Sequence, residues 1–254
     1  MAKLIAAAYG IFAYVLFLLV FVYFILFVGD LWVPKTVSSG EPGGLTGMAV
    51  DVLLLALFGI QHSVMARPGF KRWWTRLVPE SIERSTYVLI SSVLLGAIVF
   101  FWQPIEGVIW EFENNIAYGL IYGLFGLGWL IATLSTFLTD HFDLFGLRQV
   151  YLNLVKKSYT PVEFRMSFLY RMVRHPMMLG MLIGLWATPV LTAGHLLLAL
   201  GLTVYIVIGI QYEERDLMRT LGEDYRTYRE STPMLLPRGP RVDKQATTRK
   251  NRPT

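Results

Sequence analysis

The chain has 254 residues, 54% hydrophobic and only 16% charged, with a mean hydropathy of +0.49, which excludes a soluble domain with a wetted surface. It has no cysteine, so disulfides, a thiolate nucleophile and thiolate-held zinc or iron–sulfur clusters are excluded. The formal charge of +5 sits in short segments beside apolar runs and in a terminal tail, a pattern that orients a membrane protein and implies no nucleic acid.

The apolar residues gather into runs long enough to cross about 30 Å of hydrocarbon at about 1.5 Å per residue. Unpaired backbone groups are costly in lipid and the runs lack strict alternation, so an all-α, polytopic integral membrane protein is expected. The first run, 4–28, lacks a small-residue cleavage site and reads as a retained helix. A loop containing Pro34, Ser38, Ser39, Gly40, Pro42, Gly43 and Gly44 precedes the second run, 48–65; the third and fourth are 87–102 and 116–138. These make an N-terminal four-helix membrane region, 1–138. A polar segment follows, then apolar stretches 177–191 and 196–211 joined by 192–195, each short for a span, so they form either a tight transmembrane hairpin, the favoured reading, or a pair of re-entrant segments. A charged helix continues over 213–229. The hairpin and its flanks make a second region, 139–237, and a basic tail expected to be disordered occupies 238–254.

Lysine and arginine in short loops mark the cytoplasmic side. Arg67, Lys71, Arg72, Arg76 and Arg84 follow the second run; Arg148, Lys156, Lys157, Arg165, Arg171 and Arg174 follow the fourth. The first loop holds only Lys35, the third holds Glu106, Glu111 and Glu113 without a base, and the hairpin turn has none. Six crossings with both termini cytoplasmic satisfy every loop.

Two polar segments carry the unusual residues. Where the fourth run ends stand Thr139, Asp140, His141, Phe142, Asp143 and, further on, Arg148; read as one helix, His141, Leu144, Phe145 and Arg148 share a face. The bland reading is a helix end meeting lipid headgroups. Before the hairpin stand Arg174, His175 and Pro176, with Pro176 suited to a first helical turn whose open N–H groups favour an anion. Alone, Arg-His-Pro is also compatible with an ordinary turn at the membrane surface.

Joined to Glu213, Glu214, Leu217, Gly222, Tyr225 and Tyr228, the pattern R-H-P then E-E-x-x-L…G-x-x-Y-x-x-Y resembles the isoprenylcysteine carboxyl methyltransferase and phospholipid methyltransferase membrane superfamily over about the last 80 residues. The resemblance implies an S-adenosyl-L-methionine site on the cytoplasmic side, with Arg174, His175, Gly180, Glu213 and Glu214 near the cofactor. Met178 stands where many relatives have tyrosine. The donor set suits that molecule: the glutamates offer acceptors to its cations or ribose hydroxyls, Arg174 and the helix-start amides offer donors to its carboxylate, and Tyr225 and Tyr228 are candidate lids over the adenine, with headgroup anchoring the alternative.

The run from His141 to Leu152, R-H-P-M-M-L-G-M and W-A-T-P extend the likeness nearly end to end, to the bacterial methanethiol S-methyltransferases. What this implies is in-line methyl transfer to a small volatile thiol, giving dimethyl sulfide, in a bacterial inner membrane. Such a thiol is largely protonated near neutral pH, so a base is expected. His141 is the first candidate, with Asp143 orienting it and Arg148 supplying positive potential; His175 is the alternative. His62 is a possible cavity residue and His195 reads as structural. The four histidines lie in separate segments without metal-ligand spacing, so no metal is expected. Two competing functions stay open: methylation of a lipid amine, prenylcysteine or other membrane acceptor, and a non-enzymatic transporter or assembly factor.

Overall fold

The computed structural model describes residues 1–160 and 168–237; the tail 238–254 lies outside them. In chain order the membrane helices begin with α1 (Ala2–Val28), uncharged after Lys3, and α2 (Gly44–Met65). A surface helix, α3 (Pro68–Trp74), starts on a proline at its first turn, and α4 (Glu80–Phe101) returns. A short strand, β1 (Val108–Glu111), leads to α5 (Asn115–Thr139), whose cap Asn114 accepts from the amides of Ile116 and Ala117 at 2.8 and 3.2 Å.

Beyond α5 the chain breaks into α6 (His141–Leu144), α7 (Leu147–Leu154) and α8 (Phe168–Met172). Gly146 separates the first two with φ +85°, and a Cβ there would stand 2.6 Å from the Ser85 hydroxyl. The single helical face expected for His141, Leu144, Phe145 and Arg148 is therefore not formed. The chain finishes with α9 (Pro176–Trp186), the strand β2 (Val190–Thr192), α10 (Ala193–Leu221) and α11 (Glu223–Ser231).

Among the described residues five helices, α1, α2, α4, α5 and α10, are long and apolar enough to cross a membrane. The expected hairpin is realised unequally. Its second arm is the long α10, whereas α9 has 11 residues, about 16 Å at 1.5 Å per residue and only half a bilayer core. Pro189 disfavours a helical Thr188, so the chain leaves α9 extended. It then pairs as β2 antiparallel to β1, with Val108 opposite Thr192 and Glu111 opposite Val190. The expected turn at 192–195 is instead the start of α10, where Thr192 caps the amide of His195 at 3.1 Å.

This sheet gathers the base-poor loops at one end of the molecule. There Ser38 meets Thr192 at 3.3 Å, Trp102 donates to the Val37 carbonyl at 3.2 Å, and the Gln103 amide donates to Asp51 at 2.9 Å. The base-rich segments meet at the other end through Arg67–Asp216 at 2.9 Å, Lys71–Glu83 at 3.1 Å and Arg84 to the Leu144 carbonyl at 2.7 Å.

Between the ends a core of Phe24, Phe27, Ile98, Trp129, Leu198 and Ile206 joins α1, α4, α5 and α10. α9 reaches it by crossing α5 closely. A Cβ at Gly128 would fall 2.6 Å from the Gly184 nitrogen, and one at Gly180 2.5 Å from both the Ala132 nitrogen and the Gly128 oxygen. Small residues that let backbones touch are how helices associate where lipid removes the hydrophobic drive.

Candidate functional site

Arg174 and His175 close the loop before α9, and Pro176 occupies its first turn. The segment after α11 holds them in place: the Arg174 amide donates to the Pro233 carbonyl at 2.9 Å and the His175 amide to that of Met234 at 3.2 Å. Glu213 and Glu214, adjacent on α10, point about 100° apart. Glu214 turns inward, with 9% of its side chain exposed, while Glu213 keeps 48%.

Glu214 is saturated. Its Oε1 accepts from Arg174 Nε at 2.8 Å, Arg174 Nη2 at 2.6 Å and His175 Nε2 at 3.1 Å, and its Oε2 faces Arg229 Nε at 3.2 Å. Arg174 is saturated too, for its Nη1 donates to the carbonyls of Arg229, at 3.0 Å, and Thr232. The pair thus pins the start of α9, the end of α10 and the end of α11 together. The Arg174 fork, expected from sequence to grip a cofactor carboxylate, is engaged by protein groups in this structure.

His175 is buried, with Nε2 on Glu214 and Nδ1 3.5 Å from Glu213. Burial alone would lower its pKa, but the hydrogen bonds and charges of Glu213 and Glu214 outweigh this and hold it above the ordinary histidine value. The two carboxylates favour its protonated form. Glu213 is left as the outward-facing member, 3.5 Å from His175, the residue at the cap of α9, whose first amides lack intrahelical partners.

Further candidate residues pack against protein groups. Tyr225 and Tyr228, expected as lids or headgroup anchors, are buried at 2% and 5% exposure. Their rings pack 5.8 Å apart and the Tyr228 hydroxyl donates to the Tyr170 carbonyl at 2.6 Å, so they bind α11 to α8; burial pushes the Tyr225 pKa up to about 12. Gly180 belongs to the α5–α9 crossing, where the α5 backbone fills the space beside it. Asp143 does not orient His141: its carboxylate takes Arg148 at 2.9 Å and the Tyr159 hydroxyl at 3.2 Å.

His141 is tied down on both ring nitrogens. The Thr136 hydroxyl donates to the Thr133 carbonyl at 2.7 Å, so it accepts from His141 Nδ1 at 2.8 Å; His141 Nε2 then accepts from the Tyr14 hydroxyl at 2.7 Å. The ring stacks on Phe137 at 4.1 Å. Burial lowers the pKa of this neutral imidazole, against a weaker upward pull from Asp140. It links α1 to α5 and offers no lone pair to a substrate. Arg148 likewise spends its Nη1 on Asp143 and on the Thr160 carbonyl at 2.9 Å.

Nearby, Lys71, Arg84, Thr139, Asp140, Asp143 and Tyr159 line a polar cleft of about 240 Å³. The Thr139 and Tyr170 hydroxyls meet at 2.8 Å, linking this region to the Arg174–Glu214 cluster. His195 lies at the opposite end, with Nε2 on the Leu185 carbonyl at 2.8 Å.

Five apolar crossings with a buried Arg–His–Glu cluster at the base-rich end define a polytopic α-helical membrane protein. A family model described as "NnrU protein" matches residues 51–237. The chain is 50% identical to the methanethiol S-methyltransferase of Mycobacterium tuberculosis over 93% of its own length and 98% of the relative's. It is 49% identical to the methanethiol S-methyltransferase of Crocosphaera subtropica over 90% of each chain, and 31% identical to nurim of Rattus norvegicus over 68% and 69%. No solved structure matches it. The chain belongs to the NnrU family and shares a family with the methanethiol S-methyltransferases.

Proposed function

We propose that this chain is an S-adenosyl-L-methionine-dependent methyltransferase that methylates methanethiol at sulfur to give dimethyl sulfide. The observation that carries the reading is identity of about one half, along nearly the whole chain, to proteins named for that reaction. The local chemistry supports it. Glu213 is a half-exposed carboxylate 3.5 Å from His175, which caps the open amides of α9, so acceptors and donors of the kinds a sulfonium amino acid needs lie in adjoining parts of one cluster. When bound there, S-adenosyl-L-methionine supplies an electrophilic methyl group.

The chain's own residues divide the remaining work. Glu213 would hold the ammonium or ribose hydroxyls. The Met177 and Met178 amides would receive the carboxylate. Arg174, Glu214 and Arg229 keep α9, α10 and α11 at fixed separation, so these groups are aligned before any substrate arrives. His141, Asp143 and Arg148 support the fold beside this cluster and are not assigned proton transfer.

The base-rich end is assigned to the cytoplasm of a bacterial inner membrane, where the methyl donor is made. Headspace gas chromatography of the purified chain with S-adenosyl-L-methionine and methanethiol tests the function. Dimethyl sulfide is the expected product; cofactor binding without it would redirect the search to lipid and prenyl acceptors.

A further inference from the structure

The proposed reaction needs a base for the thiol, and three of the four histidines are occupied. His141 has both nitrogens bonded, His175 has both facing carboxylates, and His195 spends Nε2 on a carbonyl while its Nδ1 is sealed from solvent. His62, on the last turn of α2, differs. Gln61 directs Nε2 to the Met65 sulfur at 3.1 Å, leaving its Oε1 to accept from the Ser91 hydroxyl at 3.2 Å. With its one hydrogen spent, the Ser91 oxygen accepts from His62 Nδ1 at 3.2 Å. The chain Nδ1–H to Ser91 to Gln61 therefore fixes the tautomer and leaves the lone pair on Nε2. That nitrogen has no hydrogen-bond partner among the described residues, and His62 is only half-buried.

The surroundings suit a small apolar thiol. Phe58, Tyr87 and Tyr205 pack about His62 at centroid distances of 5.3, 4.9 and 5.8 Å and give it an apolar, aromatic lining. The Arg84 guanidinium lies 4.8 Å over the Tyr87 ring and brings positive potential, which favours a thiolate. Tyr205 and Glu213 are both on α10, separated by about two turns or 12 Å along its axis. A molecule the size of S-adenosyl-L-methionine bridges that interval.

We propose that His62 is the general base of the methyl transfer and that Phe58, Tyr87 and Tyr205 wall the thiol pocket, an assignment that rests on the methanethiol reading above. Nε2 takes the proton of the thiol S–H. The sulfur pair forms the new bond to the methyl carbon, the methyl–sulfonium bond breaks with its pair staying on the departing sulfur, and the imidazolium then gives its proton to water. Ser91 is a positioning residue that holds the tautomer.

The test uses the full chain in detergent with two readouts, dimethyl sulfide formation and equilibrium dialysis of S-adenosyl-L-methionine. His62→Asn and His62→Gln should lower kcat about 100-fold or more, with cofactor Kd unchanged within about twofold. Ser91→Ala should lower kcat by about tenfold while keeping the number of cofactor sites per chain in the dialysis and the melting temperature of the unmodified chain, both of which a general loss of folding would lower. A His62→Asn chain within about threefold of the unmodified kcat would overturn the assignment, as would loss of cofactor binding in both His62 variants, which would make the residue structural. An unmodified chain that binds the cofactor yet makes no dimethyl sulfide would overturn the methanethiol reading and this proposal with it.

Discussion

Glu213 and Glu214 are neighbours in sequence with opposite physical positions, and their variants should separate accordingly. Removing Glu214 leaves Arg174, with 9% of its side chain exposed, without its carboxylate. Breaking such a buried pair costs about 3–5 kcal/mol, so Glu214→Ala should lower the melting temperature in detergent markedly as well as abolish activity. Glu213→Ala strips an outward carboxylate; it should melt close to the unmodified chain while binding S-adenosyl-L-methionine at least about tenfold more weakly, each read by thermal unfolding and dialysis. The histidines give opposite pH dependences. His175 has a raised pKa in the fold, so its contribution is fully present below the unfolded value of about 6.5 and is lost as pH rises through the folded value. The stability gap between the unmodified chain and His175→Asn should therefore narrow on the alkaline side. His141 has a lowered pKa, so its contribution is lost as pH falls below about 6.5, and His141→Gln should flatten that acid limb of the melting profile. From sequence, His141 stood first as the base and His175 was the alternative; their different surroundings depend on hydrogen-bond partners distant in the chain, 127 positions away for Tyr14 and His141.

At the scale of elements, the α5–α9 crossing is the most exacting contact. Gly180→Ala places a methyl 2.5 Å from the α5 backbone, with no flexible side chain able to yield. Overpacking of this kind costs about 1–3 kcal/mol, and the expected outcome is a lower melting temperature together with weaker cofactor binding, since α9 carries the amides of the site. Gly59→Ala offers a milder contrast, because the added carbon would meet the Tyr205 ring at 3.3 Å and Tyr205 can turn. The four N-terminal membrane helices are legible from run length and hydropathy alone. The fate of α9 is not, since the apolar stretch 177–191 has the composition of a span. Pro189 marks where the helix must stop, and the strand partner, Val108–Glu111, lies about 80 residues earlier in a loop whose β-branched and aromatic content gave the only local hint.

For the whole molecule, the segregation of loops yields a direct test of orientation. The chain has no cysteine, so single cysteines report position without background. Ser38→Cys, at the base-poor end, should react with an impermeant maleimide in intact spheroplasts, whereas Arg219→Cys should react only after permeabilisation; the reverse pattern would invert the topology. The same end-to-end division explains why the charge cluster can exist at all. Arg174, Glu214 and Arg229 sit where α10 leaves the apolar region, so their mutual bonds form beside water and not within the hydrocarbon.

Run lengths, the distribution of lysine and arginine and the paired R-H-P and E-E motifs by themselves determined the all-α membrane class, the number of long crossings in the N-terminal region and the segments that form the charge cluster. These are properties of composition and order along the chain, and the bilayer imposes them without reference to tertiary contacts. Only the tertiary structure decided which charges are spent on one another, that Gly180 serves a helix crossing, that Tyr225 and Tyr228 are buried struts, and which histidine keeps a lone pair. Availability of a polar atom depends on what the rest of the fold has already bonded to it, and those partners come from helices distant in sequence.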